Sequence, residues 1–123
     1  MEEIFKDIPG YEGLYQISNL GNVKSLHYNK SNRQVILKPR LNKKGYCRVG
    51  LHSKGESKDF FIHRLVAEAF IPNPNNLSDV NHKDENKQNN CVNNLEWLSH
   101  RDNMNYGTIK ERIAATLRKK KVS

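Results

Sequence analysis

Val80-Asn81-His82-Lys83-Asp84, Asn94-Leu95-Glu96-Trp97-Leu98 and Ser99-His100-Arg101-Asp102-Asn103 are the three words of this 123-residue chain whose reading decides its fold. Asp79–His82 predicts a short strand, and Lys83–Asn90 a polar loop whose asparagines suit Asx turns and unusual backbone angles. Leu95–Leu98 is the expected partner strand, with the only tryptophan of the chain as a core anchor. Ser99 can cap a helix through Asn105, with Asp102 in its third position as a short variant of the capping box. Strand, loop, strand and helix fold the segment back on itself. His82, an amide twelve residues on at Asn94 and another twenty-one on at Asn103 can then meet.

Working outward, Leu14–Ser18 and Val23–Leu26 predict a β-hairpin across the Gly-containing connection Asn19–Asn22. Gln34–Pro39 is a third strand, ending where Pro39 lacks a ladder donor. After a turn at Asn42–Gly45, Tyr46–Leu51 and Lys58–Ile62 complete one small antiparallel sheet, with an apolar face and a face carrying Lys38, Arg40, Arg48 and Lys58. The period changes at His63–Phe70, where Leu65, Val66, Ala69 and Phe70 share a helical face until Pro72 and Pro74 end the helix. His63, at its start, reads as a hydrogen-bonding structural residue. Past the core, Thr108-Ile109-Lys110-Glu111 is a full capping box, and Ile109, Ile113, Ala114 and Leu117 make an apolar stripe up to Arg118-Lys119-Lys120-Lys121. The expected class is α+β: a small β-sheet module over 1–62, the strand-loop-strand-helix core over 63–107, and a basic amphipathic helix over 108–123.

Only 36% of residues are hydrophobic and the mean hydropathy is −0.85, so the expected core is small. Apolar residues nonetheless recur from Ile4 to Leu117, which argues against wholesale disorder. No apolar run approaches a membrane span, and Met1-Glu2-Glu3 is acidic where a signal peptide is basic, so cytoplasmic residence without a membrane partner is the default expectation. Cys47 and Cys91 lie far apart without a Cys-x-x-Cys pair; no structural zinc is expected, and the two read as small, partly buried thiols, a disulfide being the alternative.

The net charge of +8 favours a polyanionic partner, and its distribution is uneven. Residues 24–64 hold eleven Lys or Arg against two acids, and residues 108–123 hold six against one. The flanking residues 1–23 and the segment 65–107 that contains His82 are each net −3. A cation site between two phosphate-binding arms has this pattern. The candidate contacts are Lys38, Arg40, Lys43, Lys44, Arg48 and Lys58 in the first arm and Lys110, Arg118, Lys119 and Lys120 in the second.

Hydrolysis of a phosphodiester needs a water relieved of its proton, stabilisation of charge at phosphorus and help for the departing 3′-oxygen. Histidine suits the first task because its unperturbed pKa leaves it largely neutral at pH 7. His82 is therefore the expected general base. Asn81 and Asn103 are expected to offer side-chain oxygens to one Mg²⁺-like ion, and Asn94 to position the His82 loop. Two neutral amides make a weak site that substrate phosphate oxygens complete. Asp84, Glu85 and Asp102 are alternative donors.

From Ile62 to Asn105 the chain resembles the HNH endonucleases of phage and intron-encoded homing systems. The matching words are His63-Arg64-Leu65-Val66-Ala67, Val80-Asn81-His82-Lys83-Asp84, Asn86-Lys87, Asn89-Asn90 and Asn93-Asn94-Leu95-Glu96-Trp97. Asp7-Ile8-Pro9-Gly10-Tyr11-Glu12-Gly13-Leu14-Tyr15 and Ser18-Asn19-Leu20-Gly21-Asn22-Val23 resemble the NUMOD4 module often found before that domain. The resemblance implies a ββα-metal nuclease core, with His82 at the general-base position, Asn94 at the structural asparagine and Asn103 at the second metal ligand. Asn81 falls where several relatives carry an aspartate ligand, and departs from that variant. A double-stranded DNA substrate, one divalent ion such as Mg²⁺ or Mn²⁺ and often nicking of one strand are also implied, and residues 108–123 match the place where relatives begin a further DNA-binding module. If the chain is phage-encoded, the host cytoplasm is the expected location. A monomer is favoured. The alternatives are a DNA-binding protein with a degenerate site and, behind it, a basic RNA-binding protein.

Overall fold

The computed structural model describes residues 1–106. The expected C-terminal basic helix, with Lys110, Arg118, Lys119 and Lys120, lies outside them. Strands β1 (Phe5–Asp7), β2 (Tyr15–Ser18), β3 (Val23–Ser25) and β4 (Val35–Ile36) form one antiparallel sheet in that order. Strands β5 (Arg40–Leu41), β6 (Cys47–Ser53) and β7 (Glu56–Phe61) form a second. Helix α1 (Ile62–Phe70) follows, then the hairpin of β8 (Asp79–His82) and β9 (Leu95–Leu98), and helix α2 (His100–Met104). The class is α+β. No helix among the described residues is long and apolar enough to cross a membrane.

The strands divide into two sheets where the sequence predicts one. Val35–Ile36 ends its pairing with β3 just before Lys38-Pro39, and the chain resumes at Arg40–Leu41 on a different partner, β6. A proline without an N–H cannot carry the ladder across that gap. The β6–β7 register places Arg48 opposite Phe61 and Leu51 opposite Lys58, and Arg40 pairs with Arg48. Directly paired residues share a face, and alternate residues switch it. Arg40 and Arg48 therefore share one face with Asp59, whereas Lys58 belongs to the face of Leu51 and Val49. The single basic face carrying Arg40, Arg48 and Lys58 together does not form.

α1 is the element on which strands of both sheets and of the hairpin meet. Ile62, Leu65, Val66 and Ala67 are buried on its inner face, and the helix meets β2, β6 and β7 as well as β8 and β9. Burying each of the Ile, Leu and Val side chains among them contributes roughly 1.5–3 kcal/mol. Ile8 just after β1, Ile17 and Val23 of the first sheet, Val49 and Leu51 of the second, and Val80 and Leu95 of the hairpin join them in one continuous core. Trp97 packs against that core and donates its Nε1–H to the Ile71 carbonyl (3.0 Å), closing the hairpin onto the end of α1. Ser99 caps α2 by accepting from the Asp102 N–H (3.1 Å).

Candidate active site

His82 is the last residue of β8, with 5% of its surface exposed. Its Nε2 lies 2.8 Å from the side-chain oxygen of Asn90, itself buried. An amide oxygen can only accept, so the proton sits on Nε2 and the lone pair on Nδ1. Burial is the main force on the ring and holds its pKa below the usual histidine value; the Asn90 bond and the charge of Asp84 oppose it, and Lys87 reinforces it. The ring is neutral at neutral pH, and its proton-accepting nitrogen is fixed.

The loop after His82 is built on Asp84. One of its carboxylate oxygens accepts from the Asn86 N–H and the Asn94 side chain (both 2.8 Å), the other from the Asn89 side chain (2.9 Å). These bonds hold Asp84 below the ordinary carboxylate range. Asn94 also donates to the Asn89 carbonyl (2.9 Å) and accepts from the Asp84 N–H (3.0 Å), while its own carbonyl receives the Lys83 N–H (2.7 Å). The Asn86 side chain makes a second Asx turn with the Gln88 N–H (3.0 Å). The loop's left-handed residue is Glu85 (φ 62°) rather than an asparagine. Asp84 is thus committed to the loop scaffold.

Asn81, His82 and Asn103 line one small cleft of about 80 Å³, together with Tyr46, Glu85 and Lys87. Asn81 stands opposite Glu96 in the β8–β9 register, and its nitrogen faces that carboxylate across a long hydrogen bond of 3.4 Å. The nitrogen of Asn103 donates to Asp79 (3.1 Å), which also contacts His100 Nδ1 (2.9 Å). Burial raises the Asp79 pKa, but its bonds from His100, Asn103 and Ser78 outweigh this and hold it low. An amide whose nitrogen is anchored on a carboxylate turns its oxygen the other way, and oxygen is the atom a hard cation takes. Among the described residues no group of three or more His, Cys, Asp or Glu side chains could hold a metal ion. The two amides therefore fit as a weak, neutral part of an oxygen-donor site, backed by carboxylates.

Neighbours that carry no motif of their own complete the cleft. His63 is buried and is not the hydrogen-bonding residue expected at the helix start: its Nδ1 has no partner among the described residues. Instead its ring stacks on Tyr46 (centroids 5.2 Å apart) and lies 5.0 Å from the ring of His82. Lys87 places its ammonium 4.8 Å over the Tyr46 ring and donates to the Lys44 carbonyl (2.8 Å), so a residue of the His82 loop is tied to the β5–β6 turn. Glu96, Asn90, Lys87 and Tyr46 come together only through cross-strand register and tertiary contact. Asn90 had a faint signal, one amide in an asparagine-dense loop.

Of the basic residues, Lys43, Lys44 and Arg48 border a shallow depression of about 600 Å³ that includes Leu41, Phe61 and Tyr46, the last shared with the cleft. Lys38 and Arg40 border another depression with Gly50 and Asp59, and Asp59 pairs with Arg40 (2.7 Å) and Arg48 (3.8 Å). Lys58 borders a separate depression with Tyr11 and Phe60. Both cysteines are free thiols, Cys47 buried.

Comparison with known proteins gives a consistent result. The family profile described as the NUMOD4 motif matches residues 3–52, and that described as HNH endonuclease matches residues 60–105. DNA endonuclease I-HmuI of Bacillus phage SP01 is 44% identical over 100 residues, which is 81% of this chain and 55% of that protein. H-N-H endonuclease F-TflII of Escherichia phage T5 is 35% identical over 102 residues, 81% of this chain and 50% of its own length. This chain thus spans about half the length of these relatives. A solved structure described as DNA binding and cleavage by the HNH homing endonuclease I-HmuI superposes with a TM-score of 0.72 at 38% identity, over 97% of this chain and 68% of that one.

Proposed function

The chain belongs to the HNH endonuclease family, and on that premise we propose that it hydrolyses phosphodiester bonds of double-stranded DNA, nicking one strand, with His82 as general base and one divalent cation, Mg²⁺ or Mn²⁺, at Asn81 and Asn103. The observation that carries the proposal is the convergence of those three side chains on one cleft. His82 and Asn81 alternate in direction along β8, but at the strand's end both reach it.

The neutral imidazole accepts the proton of the attacking water on Nδ1, because Nε2 is taken by Asn90. The Asp84–Asn94 scaffold holds the loop that begins at His82 and keeps the ring from swinging out of the cleft. When bound, the cation stabilises negative charge on the phosphate and on the departing 3′-oxygen. Lys87 adds a fixed positive charge at the same cleft, and its anchors on Lys44 and Tyr46 hold it there before substrate arrives. Residues 1–62 act as the module that grips DNA and 63–107 as the unit that cuts. Lys43, Lys44 and Arg48 lie beside Tyr46 and guide the backbone into the cleft, with Lys38 and Arg40 at a neighbouring depression. The second arm of Lys110, Arg118, Lys119 and Lys120 adds phosphate contacts from the C-terminal segment.

The test is single-turnover nicking of a supercoiled plasmid library with randomised inserts, in Mg²⁺ and in Mn²⁺. His82→Ala is expected to cut about 10²–10⁴-fold more slowly at unchanged DNA affinity; nicking at the wild-type rate removes His82 as base. One observation, the neutrality of the donor set, favours a second reading, DNA binding without cleavage. Intact binding without nicking by the wild-type protein, in either cation and indifferent to chelator, is its signature.

A further inference from the structure

We infer that the β2–β3 turn of the N-terminal sheet is a positioning element for His82, acting through Asn90; the catalytic consequence rests on the base role proposed above. Gly21 in that turn has φ +89°, and a Cβ placed on it would lie 2.9 Å from the Cβ of Asn90 and 3.0 Å from its carbonyl oxygen. The backbone of the turn is pressed against the residue whose side chain holds the His82 ring. Two residues before Gly21 and two after Asn90 the segments are also bonded, the Val92 N–H donating to the Asn19 carbonyl (2.8 Å). Residues 19–21 thus clamp residues 90–92.

The clamp is stiff on its own side. Asn19 is buried, its side-chain oxygen accepts from the Ile4 N–H (2.8 Å) and its nitrogen donates to the Glu2 carbonyl (3.0 Å). The Ser18 hydroxyl receives the N–H groups of Leu20 (3.2 Å) and Asn22 (3.0 Å). On the other side, Asn90 is buried and passes its position directly to His82 Nε2 at 2.8 Å. Because the Asn90 oxygen dictates which ring nitrogen carries the proton, displacing it by a few tenths of an ångström frees the ring to rotate and to change tautomer. The N-terminal sheet is therefore part of the catalytic apparatus as well as a DNA-binding module.

Gly10 supplies a matched control. Its φ is +85°, and a Cβ there meets nothing within 4 Å, so Gly10→Ala carries the same backbone strain as Gly21→Ala without the contact. For wild type and both variants, single-turnover nicking, DNA affinity and the ¹⁵N shifts of the His82 ring in metal-free protein are measured at neutral pH. Gly10→Ala is expected to match wild type within about twofold, whereas Gly21→Ala slows nicking by at least about tenfold at unchanged Kd. Its His82 ring loses the pattern of a single tautomer protonated on Nε2. Should Gly21→Ala fail to fold, Asn90→Leu carries the test, with the same loss of rate and the same change in the ring spectrum expected. A Gly21→Ala protein (or Asn90→Leu in its place) with wild-type rate and ring spectrum overturns the inference. If His82→Ala nicks like wild type, the base role fails separately, and the ring spectrum still decides whether the turn positions the ring.

Discussion

His63 and His82 face each other across 5.0 Å inside the protein, and both are held neutral chiefly by burial. For His63 burial, then the neighbouring charges of His82 and Arg64, push the pKa down to about 3. In the unfolded chain the same imidazole takes a proton near pH 6.5, so the unfolded state binds more protons between these values. The stability that His63 contributes is complete above about pH 6.5 and is lost as the pH falls toward 3, at a limiting slope of about 1.4 kcal/mol per pH unit. Urea unfolding from pH 7 to pH 4 is expected to show this slope. His63→Phe, which keeps a ring against Tyr46, is expected to flatten it; an equally steep variant would show that other groups carry the dependence. Single residues were legible in the sequence when a motif spacing marked them, as with His82, Asn81 and Asn103, which share the cleft. His63, Asn90 and Lys87 act through partners 19, 8 and 43 positions away, and no local pattern encodes such distances.

At the scale of elements, β8, β9 and α1 could be read from sequence because their signals are local: Val80, Leu95 and Trp97 beside polar neighbours on either side of a polar loop in the hairpin, a 3.6-residue period in the helix. β1 and β5 are three and two residues long and exist by pairing with β2 and β6, so they leave no periodic trace. Residue types alone also group Lys58 with Arg48, and only the register separates them. Lys44→Gln is accordingly expected to weaken DNA binding and to lower the salt slope of log K by about 1. Lys58→Gln, on the other face, is expected to do less in the same salt titration; equal losses would place DNA on both faces. Leu65→Ala, in the buried stripe of α1, is expected to cost about 2–5 kcal/mol in urea unfolding. Loss of that size is a large share of the 5–15 kcal/mol typical of small proteins.

For the molecule as a whole, one continuous core joins the segment matched by the NUMOD4 profile to the segment matched by the HNH profile. The charge blocks point to a cation site between phosphate-binding arms, but charge describes surfaces, and a shared interior is invisible to it. The interior is what lets the β2–β3 turn reach Asn90, and the β5–β6 turn reach Lys87. The same arrangement sets the proposed cation site, with its neutral amide donors, inside an acidic segment bordered by lysines and arginines, and such a site would draw its final ligands from the DNA itself. The most direct test is a crystal structure of the protein with nicked duplex DNA and Mg²⁺. The account predicts one cation with the side-chain oxygens of Asn81 and Asn103 at about 2.1 Å, a phosphate oxygen completing its shell, and His82 Nδ1 turned toward the phosphorus. A cation held elsewhere with the phosphate outside the cleft, or His82 turned away from it, would contradict the account.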